Sequence, residues 1–367
     1  MTAGRCRGCG ASALVTVLDL GSVPAADHFP IHDPTNTDPD ARHRLAMSLC
    51  TECALAQLSD DDTVADEPRG IEPKALTDQA ADAVDTVARA GWLRGRTVRE
   101  FGSPHGGTWV PLLSDRGFRE LDSEPADVVL DCFGIMHDPD QKAAFAARAA
   151  ALTADGVLLI QFHSLTAIVG EGQWNALRHG HFAYYSLTSL TALLRGAGLV
   201  PRSAWTFELY GGTILVAATR SGSPDSSVTT ILDHERSLGI DDAAAVGTLH
   251  SAADDDRTML RGSLADLRDA GKTVYAYGAA SRAVALLALA GITRSLLGGV
   301  ADASPSKQGR RMPGTDIPII SPAALTAANP DVVLLTLPDL LDELDRSMPE
   351  LHGRWWLHGT DIREGTR

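Results

Sequence analysis

Positive charge is what this 367-residue sequence most lacks: 32 Lys and Arg face 47 Asp and Glu, a formal net charge of −15. A surface of that sign repels phosphate backbones and argues against a nucleic-acid partner. It leaves room for a small phosphorylated ligand in a local basic pocket. Long apolar runs are missing as well. No stretch approaches the ~20 apolar residues of a membrane span, and the longest, such as VVLLTL from Val332, are strand-sized. The opening MTAGRCRGCG lacks the apolar core of a signal peptide. A cytoplasmic location without membrane association is the expectation. Cysteine is scarce, five in all, yet four are paired as Cys6-x-x-Cys9 and Cys50-x-x-Cys53, with Cys132 alone. In a reducing compartment such pairs read as metal ligands before disulfides.

What is present is ordinary globular composition, 44% hydrophobic and 22% charged, enough for two or three domains at roughly 150 residues each. Structural zinc takes four ligands in a tetrahedron, and two C-x-x-C turns complete that shell. Cys6, Cys9, Cys50 and Cys53 are therefore expected to hold one zinc, in a closed site that leaves no position for substrate. Cys132, inside the apolar run ADVVLDC, reads as a buried strand residue.

Three units follow along the chain. Residues 1–65 are turn-rich and carry the paired cysteines; the acidic run Ser59 to Asp62 reads as solvated. In 66–222, an amphipathic helix over about 75–90 precedes strands at 97–101, 126–132, 156–162 and 210–218, with helices at 141–152 and 186–197 between them. A Ser/Gly/Pro linker at 221–227 leads into 223–367, where strands at 272–277, 296–301 and 331–337 alternate with helices. Strands alternating with helices imply a parallel α/β sheet, here a doubly wound unit met twice.

CRGCG, LDLGSVPAADHF and LCTECALAQL, then GVLLIQF, RHGHFAYYSLTSL and LYGGTILV, then AYGAASRAVALLALAGI, VADASPSKQGRRMPGTDIPIISP and PDVVLLTL occur in that order. The ordered set resembles the nucleotide-sugar C-methyltransferase family over nearly the whole chain. The resemblance implies a zinc-binding N-terminal module, a class I methyltransferase-like central domain and a Rossmann-like C-terminal domain. It also implies methyl transfer from S-adenosylmethionine to a carbon beside a keto group, in a nucleotide-linked deoxysugar. Such chemistry needs a base for the α-proton and a donor for the enolate.

The sequence departs from that pattern at three places. The Glu100-x-Gly102-x-x-x-Gly106 turn is kept for the methionine end of the cofactor, but Pro104 and His105 replace the family's Asn-Asp. After Gly117-Phe118 the chain passes through RELDSEP directly to ADVVLDC, so about two strands and a helix that surround the adenosine are missing; the central sheet should be reduced, with the 97–101 strand at or near an edge. Glu124 is the one replacement on offer for the ribose ligand. The family's Tyr-His-Glu-His reads Arg178-His179-Gly180-His181 here, and its tyrosine-rich stretch reads Asp66 to Gly70 without tyrosine.

Histidine titrates near neutrality, so His181 and His179, flanking one glycine, are the acid/base candidates, expected to point the same way along an extended segment. Arg178 suits an anion, and Tyr184 or Tyr185 an enolate oxygen. His105 and His137 follow strands, where α/β clefts open. Tyr210, Gly211 and Gly212, and Tyr277, Gly278, Ser281 and Arg282 at a strand-to-helix turn, are expected to bind substrate, with Lys307; Asp302 and Gln308 lie in the same segment. That turn lacks a full G-x-G-x-x-G and is weak on its own. The site should lie between the two α/β units. The leading reading is acid/base chemistry on a nucleotide-linked keto-sugar or related metabolite without S-adenosylmethionine, an epimerisation or isomerisation through an enolate. The alternatives are an S-adenosylmethionine-dependent sugar C-methyltransferase and a non-catalytic binding subunit.

Overall fold

The computed structural model describes residues 4–33, 39–63, 72–104 and 106–360. The N-terminal module contains β1 (Leu14–Pro24), β2 (Arg42–Cys50) and β3 (Ala56–Leu58), all antiparallel. Their sequence reads as turns because β1 breaks register against β2 twice, between Thr16 and Leu18 and between Asp19 and Ser22. Each bulge shifts the two-residue alternation that reveals a strand.

The central unit opens with α1 (Lys74–Arg89), which buries Ala80, Ala83, Val84 and Val87 on one face, the spacing of an amphipathic helix. It continues through β4 (Thr97–Phe101), α2 (Val110–Ser114), β5 (Arg119–Glu120), β6 (Ala126–Cys132), α3 (Gln141–Ala150), β7 (Leu152–His163), α4 (Leu165–Gly170), β8 (Ala183–Tyr184), α5 (Leu187–Gly196), β9 (Val200–Phe207) and β10 (Thr213–Thr219). The sheet order is β5-β4-β6-β7-β10-β9. β5 to β7 are parallel, as expected, but β10 runs antiparallel to both β7 and β9. Residues 208–212 join β9 to β10, far too few for the crossover a parallel pair needs.

The reduced sheet is found: β5 is two exposed residues long, and 121–125 lead straight from it to β6. Glu124 lies in that exposed link. β6 is largely buried, and its penultimate residue, Asp131, pairs with Arg148 of α3 at 2.8 Å and accepts the amides of Gly134 and Ile135. Arg148 also reaches Asp138 at 2.8 Å. The loop carrying His137 is thus fixed by a buried charge pair.

β8 leaves this unit to become the fourth strand of the N-terminal sheet, with Ala56 opposite Tyr184 and Gln57 opposite Ala183. The C-terminal unit follows α6 (Ser226–Leu238) and α7 (Ala243–Asp269) with β11 (Val274–Tyr277), α8 (Ser281–Leu289), β12 (Val300–Ala301), β13 (Ile319–Ile320), α9 (Pro322–Ala328), β14 (Val332–Leu335), α10 (Leu341–Ser347) and β15 (Trp355–Leu357). Its sheet, β13-β12-β11-β14-β15, is parallel throughout. One hydrophobic cluster contains Leu18, Leu45, Trp174, Leu249 and Leu286, so all three units share a core. Polar ties reinforce it: Arg311 grips Asp40 with both nitrogens at 2.6 Å, and Asp256 accepts Trp174 Nε1 at 2.8 Å and His358 Nε2 at 3.1 Å. Among the described residues no helix is long and apolar enough to cross a membrane.

Candidate active site

A cavity of about 260 Å³ opens where β4, β6 and β7 end, closed on its far side by the start of α8 and the loop before α10. The carboxyl ends of parallel strands are where ligands bind in such sheets. Phe133 and Tyr210 form part of its wall, both with left-handed backbones (φ 60° and 59°) and their rings edge-to-face at 5.9 Å. Non-glycine residues held at positive φ are uncommon and collect at ligand sites.

The segment from Arg178 to Tyr184 is held on every side. His137 Nδ1 donates to the Gly180 carbonyl at 3.0 Å, the Gly180 amide donates to Asp61 at 2.7 Å, and the Phe182 amide donates to the Met136 carbonyl at 2.7 Å. Asp61 is thus engaged rather than simply solvated. The Arg178 amide donates to the Tyr184 hydroxyl at 3.0 Å. Arg178 in turn directs Nε and Nη2 at His181 Nε2, at 2.9 and 2.6 Å. A guanidinium only donates, so His181 presents a lone pair at Nε2 and is neutral there. The His137 ring stands edge-on to His181 at 4.4 Å.

Of the residues singled out in the sequence, His137, Arg178, His181, Tyr184, Tyr210, Ser281, Arg282 and Lys307 line the cavity together with Glu100, Gly102 and Gly106. His179 does not. Gly180 has φ 77°, so the chain turns between the two histidines instead of running extended. His179 is buried against the N-terminal module with Nε2 donating to the Arg44 carbonyl at 3.2 Å, and burial lowers its pKa. Tyr185 also points away, its hydroxyl donating to Gln141 within the core. Gly211 and Gly212 stay behind Tyr210; a Cβ on Gly212 would meet the Ala167 Cβ at 2.7 Å. Tyr277 packs edge-on to Trp355 at 6.2 Å, and a Cβ on Gly278 would strike Thr336. These are close-packing positions outside the cavity. Asp302 accepts the Ala279 amide and Gln308 donates to the Asp302 carbonyl, so both brace the turn before α8. His105 and the stretch Asp66 to Gly70 lie outside the described residues.

His163 was not singled out, although it lines the cavity. Burial, then the charges of Arg282 and Arg178, push its pKa down to about 3, so it is neutral. Its signal was available: it directly follows the run GVLLIQF and ends β7, at the strand-end side where His137 also lies. Asp339 and Glu72 also face the cavity, from segments with no motif. Cys132 lines it too, but burial raises its thiol well above the ordinary range. Glu100 accepts Thr108 Oγ1 at 2.5 Å and the Trp109 amide at 2.8 Å, and burial nonetheless raises its pKa.

Away from the cavity, the sulfurs of Cys6, Cys9, Cys50 and Cys53 lie within 4.8 Å of one another. Cys6 to Cys53 is 3.5 Å and Cys9 to Cys50 is 3.7 Å. Zn–S bonds of about 2.3 Å in a tetrahedron place sulfurs about 3.75 Å apart, so the four thiols fit zinc as they stand.

Residues 6–64 match the family model described as "Putative zinc binding domain", and residues 208–355 match the C-methyltransferase C-terminal domain. The chain is 27% identical to the C-methyltransferase NovU of Streptomyces niveus, over 95% of this chain and 94% of the relative. That match runs over 405 positions, whereas 95% of 367 residues is about 349, so about 56 positions have no counterpart here. Among solved structures, 1,6-didemethyltoxoflavin-N1-methyltransferase of Burkholderia thailandensis, with S-adenosylhomocysteine bound, is 15% identical over 47% of this chain and 97% of that one, with a TM-score of 0.32. The magnesium protoporphyrin IX methyltransferase of Synechocystis PCC 6803 is 13% identical over 40% of this chain and 84% of that one, with a TM-score of 0.29.

Proposed function

We propose that this chain, whose zinc-binding and C-terminal domains are those of the C-methyltransferases, removes a proton from a carbon beside the keto group of a nucleotide-linked sugar and methylates that carbon with S-adenosylmethionine. The observation that carries this is the sharing of one cavity by the Glu100–Gly107 turn and His181. A methyl donor's reactive end at the turn and a base lining the same cavity would both face one substrate carbon. Kinship with a C-methyltransferase along nearly the whole chain supports methyl transfer over the cofactor-free reaction.

The glycines of the turn support placing the methionine end of the cofactor there. Gly106 and Gly107 have φ of 91° and 80°, and a Cβ on Gly107 would come within 2.8 Å of Glu72 Oε1. Glu100, Gly102 and Gly106 would hold that end, and the bound cofactor supplies an electrophilic methyl group. The protein's own residues do the rest. His181 accepts the α-proton at Nε2 once Arg178 releases it. The Tyr210 hydroxyl, its pKa raised by burial, stays protonated and donates to the enolate oxygen. Phe133, Tyr210 and Ile168 keep water from the carbanion.

One observation favours a second reading. The sheet ends at the two exposed residues of β5, which leaves the adenosine half of the cofactor without a strand-borne wall. Return of a proton in place of a methyl group would give an epimerase. A single experiment separates the two: incubation with a nucleotide-linked keto-sugar in D₂O, with and without S-adenosylmethionine, read by mass spectrometry. A methylated product that needs both the cofactor and His181 is the expected result. Deuterium uptake without methylation would establish the second reading, and no change in the sugar under either condition would refute both.

A further inference from the structure

Two arginines from different units meet in the cavity, and one carboxylate, Asp339, acts on Arg282 by its charge without forming an ion pair with it. Arg178 comes from the segment before β8, and Arg282 from the first turn of α8. Among the described residues neither guanidinium has an acidic partner within 4.0 Å. Glu100 is taken up by Thr108 and Trp109, and Glu72 lies against Gly107 on the glycine turn, while Asp339 accepts the Tyr210 amide at 3.3 Å and its charge also favours the Arg282 cation, leaving two guanidinium charges against one carboxylate. Arg282 rests over the Tyr210 ring at 5.7 Å. Burial, and after it the charge of Arg178, lower its pKa, so the two cations feel each other. Beside them His163 is more than nine-tenths buried, and its Nε2 has no hydrogen-bond partner. Burying like charges is costly without an opposite charge. A guanidinium is built to grip carboxylate or phosphate oxygens with two parallel bonds, yet Arg178 spends two donors on one imidazole nitrogen.

We infer that the substrate carries an oxyanion close to its reacting carbon, seated between Arg178 and Arg282, and that its arrival draws Arg178 away from His181 Nε2 and frees the base. Arg178 is then a specificity-determining and positioning residue. In its resting position it holds the imidazole ring in place and covers the lone pair; paired with the anion, it uncovers the lone pair only when a substrate is there to lose a proton. No bond is made or broken in this step. The α-proton goes to His181 Nε2 afterwards, as in the reaction proposed above, on which this inference rests. The oxyanion is either a phosphate of the nucleotide linkage or a carboxylate on the sugar ring.

Calorimetric titration of the full-length chain with pyrophosphate, D-glucuronate and neutral methyl glucoside tests this. It is run on the wild type, Arg178→Gln and Arg282→Gln, with thermal unfolding to check that each is folded. The second readout is the ¹⁵N shift of His181 Nε2, which a purely structural arginine would leave unchanged. Pyrophosphate or glucuronate should bind, whichever is stronger naming the source of the anion. Either glutamine variant should weaken that binding about 10- to 100-fold, and saturation should move the Nε2 resonance of the wild type. Binding no stronger than that of methyl glucoside, equal binding by the variants, or an unmoved Nε2 resonance would overturn the inference. If one variant fails to fold, the other decides. The parent reading fails separately: anion binding with no chemistry on any keto-sugar would sink the proposed reaction alone. Chemistry at wild-type rate in Arg178→Gln would sink the anion switch alone.

Discussion

Replacing Cys50 with Ser should damage an active site that the residue never touches. Cys50 ends β2 and is fully buried, with its sulfur 3.7 Å from that of Cys9. Structural zinc contributes on the order of 10 kcal/mol or more to the folding of a small module, and losing one of four thiolates forfeits much of that. The knuckle from Cys50 to Cys53 leads within three residues to β3, and β3 pairs with β8, two residues after His181. The Asp61 contact to the Gly180 amide and the Arg44 contact to His179 come from the same module. A displacement of about 1 Å at a reacting group can cost about 10²-fold in rate, so turnover should fall by about that factor although no substrate contact has changed. Three measurements check this: zinc content, which should be one per chain in the wild type; hydrogen exchange at the Ala183 and Tyr184 amides, which should speed up; and turnover. Wild-type protein never exposed to chelator that holds less than about half an equivalent of zinc would refute the reasoning. So would a Cys50→Ser variant with wild-type exchange and turnover.

Other perturbations have equally definite outcomes. His181→Ala should lower turnover by about 10²- to 10⁴-fold with an unchanged circular dichroism spectrum, and a rate within a factor of two of wild type would exclude it as the base. Arg148→Ala strands the buried Asp131 carboxylate and should destabilise by about 3–5 kcal/mol in urea unfolding. His163 protonates near its ordinary value when unfolded but only near about 3 when folded; the unfolded chain then binds the extra proton, and stability falls as pH drops from about 6.5 towards about 3. His163→Asn should flatten that part of the stability–pH curve, and a curve parallel to wild type would contradict the neutral, buried assignment.

The zinc cluster was legible in the sequence because its chemistry is local: each pair of ligands sits in a four-residue turn, and only the meeting of the two turns is tertiary. The parallel core of the central unit was legible because β6 and β7 each carry an uninterrupted apolar stretch, Val128 to Leu130 and Val157 to Ile160. The shortened sheet could be read from the direct passage between Phe118 and Ala126. The antiparallel β9–β10 pair was not, since VPRSAWTF alternates weakly and its partner is declared only by a five-residue link. The cavity itself was half legible. His181, Arg178 and Arg282 stood out by type, but nothing in RHGH reveals that Gly180 turns the chain and sends His179 the other way. The preference of methyl transfer over a cofactor-free reaction came from the relative, since the lost strands alone had pointed away from S-adenosylmethionine.

The strand Ala183–Tyr184 belongs by position to one unit and by pairing to another, 128 residues behind it at Ala56. During synthesis the cysteines emerge before the central unit, and their sheet must wait for its last strand until most of that unit has been made. Until then β3 has an open edge, the kind of surface that recruits wrong partners. Contacts of such long separation form late because the intervening loop must first be closed. Separately expressed pieces would each inherit half of a seam. The N-terminal piece would have an unfinished sheet, and the remainder would have the RHGH segment without Asp61, Arg44 or β3 to hold it.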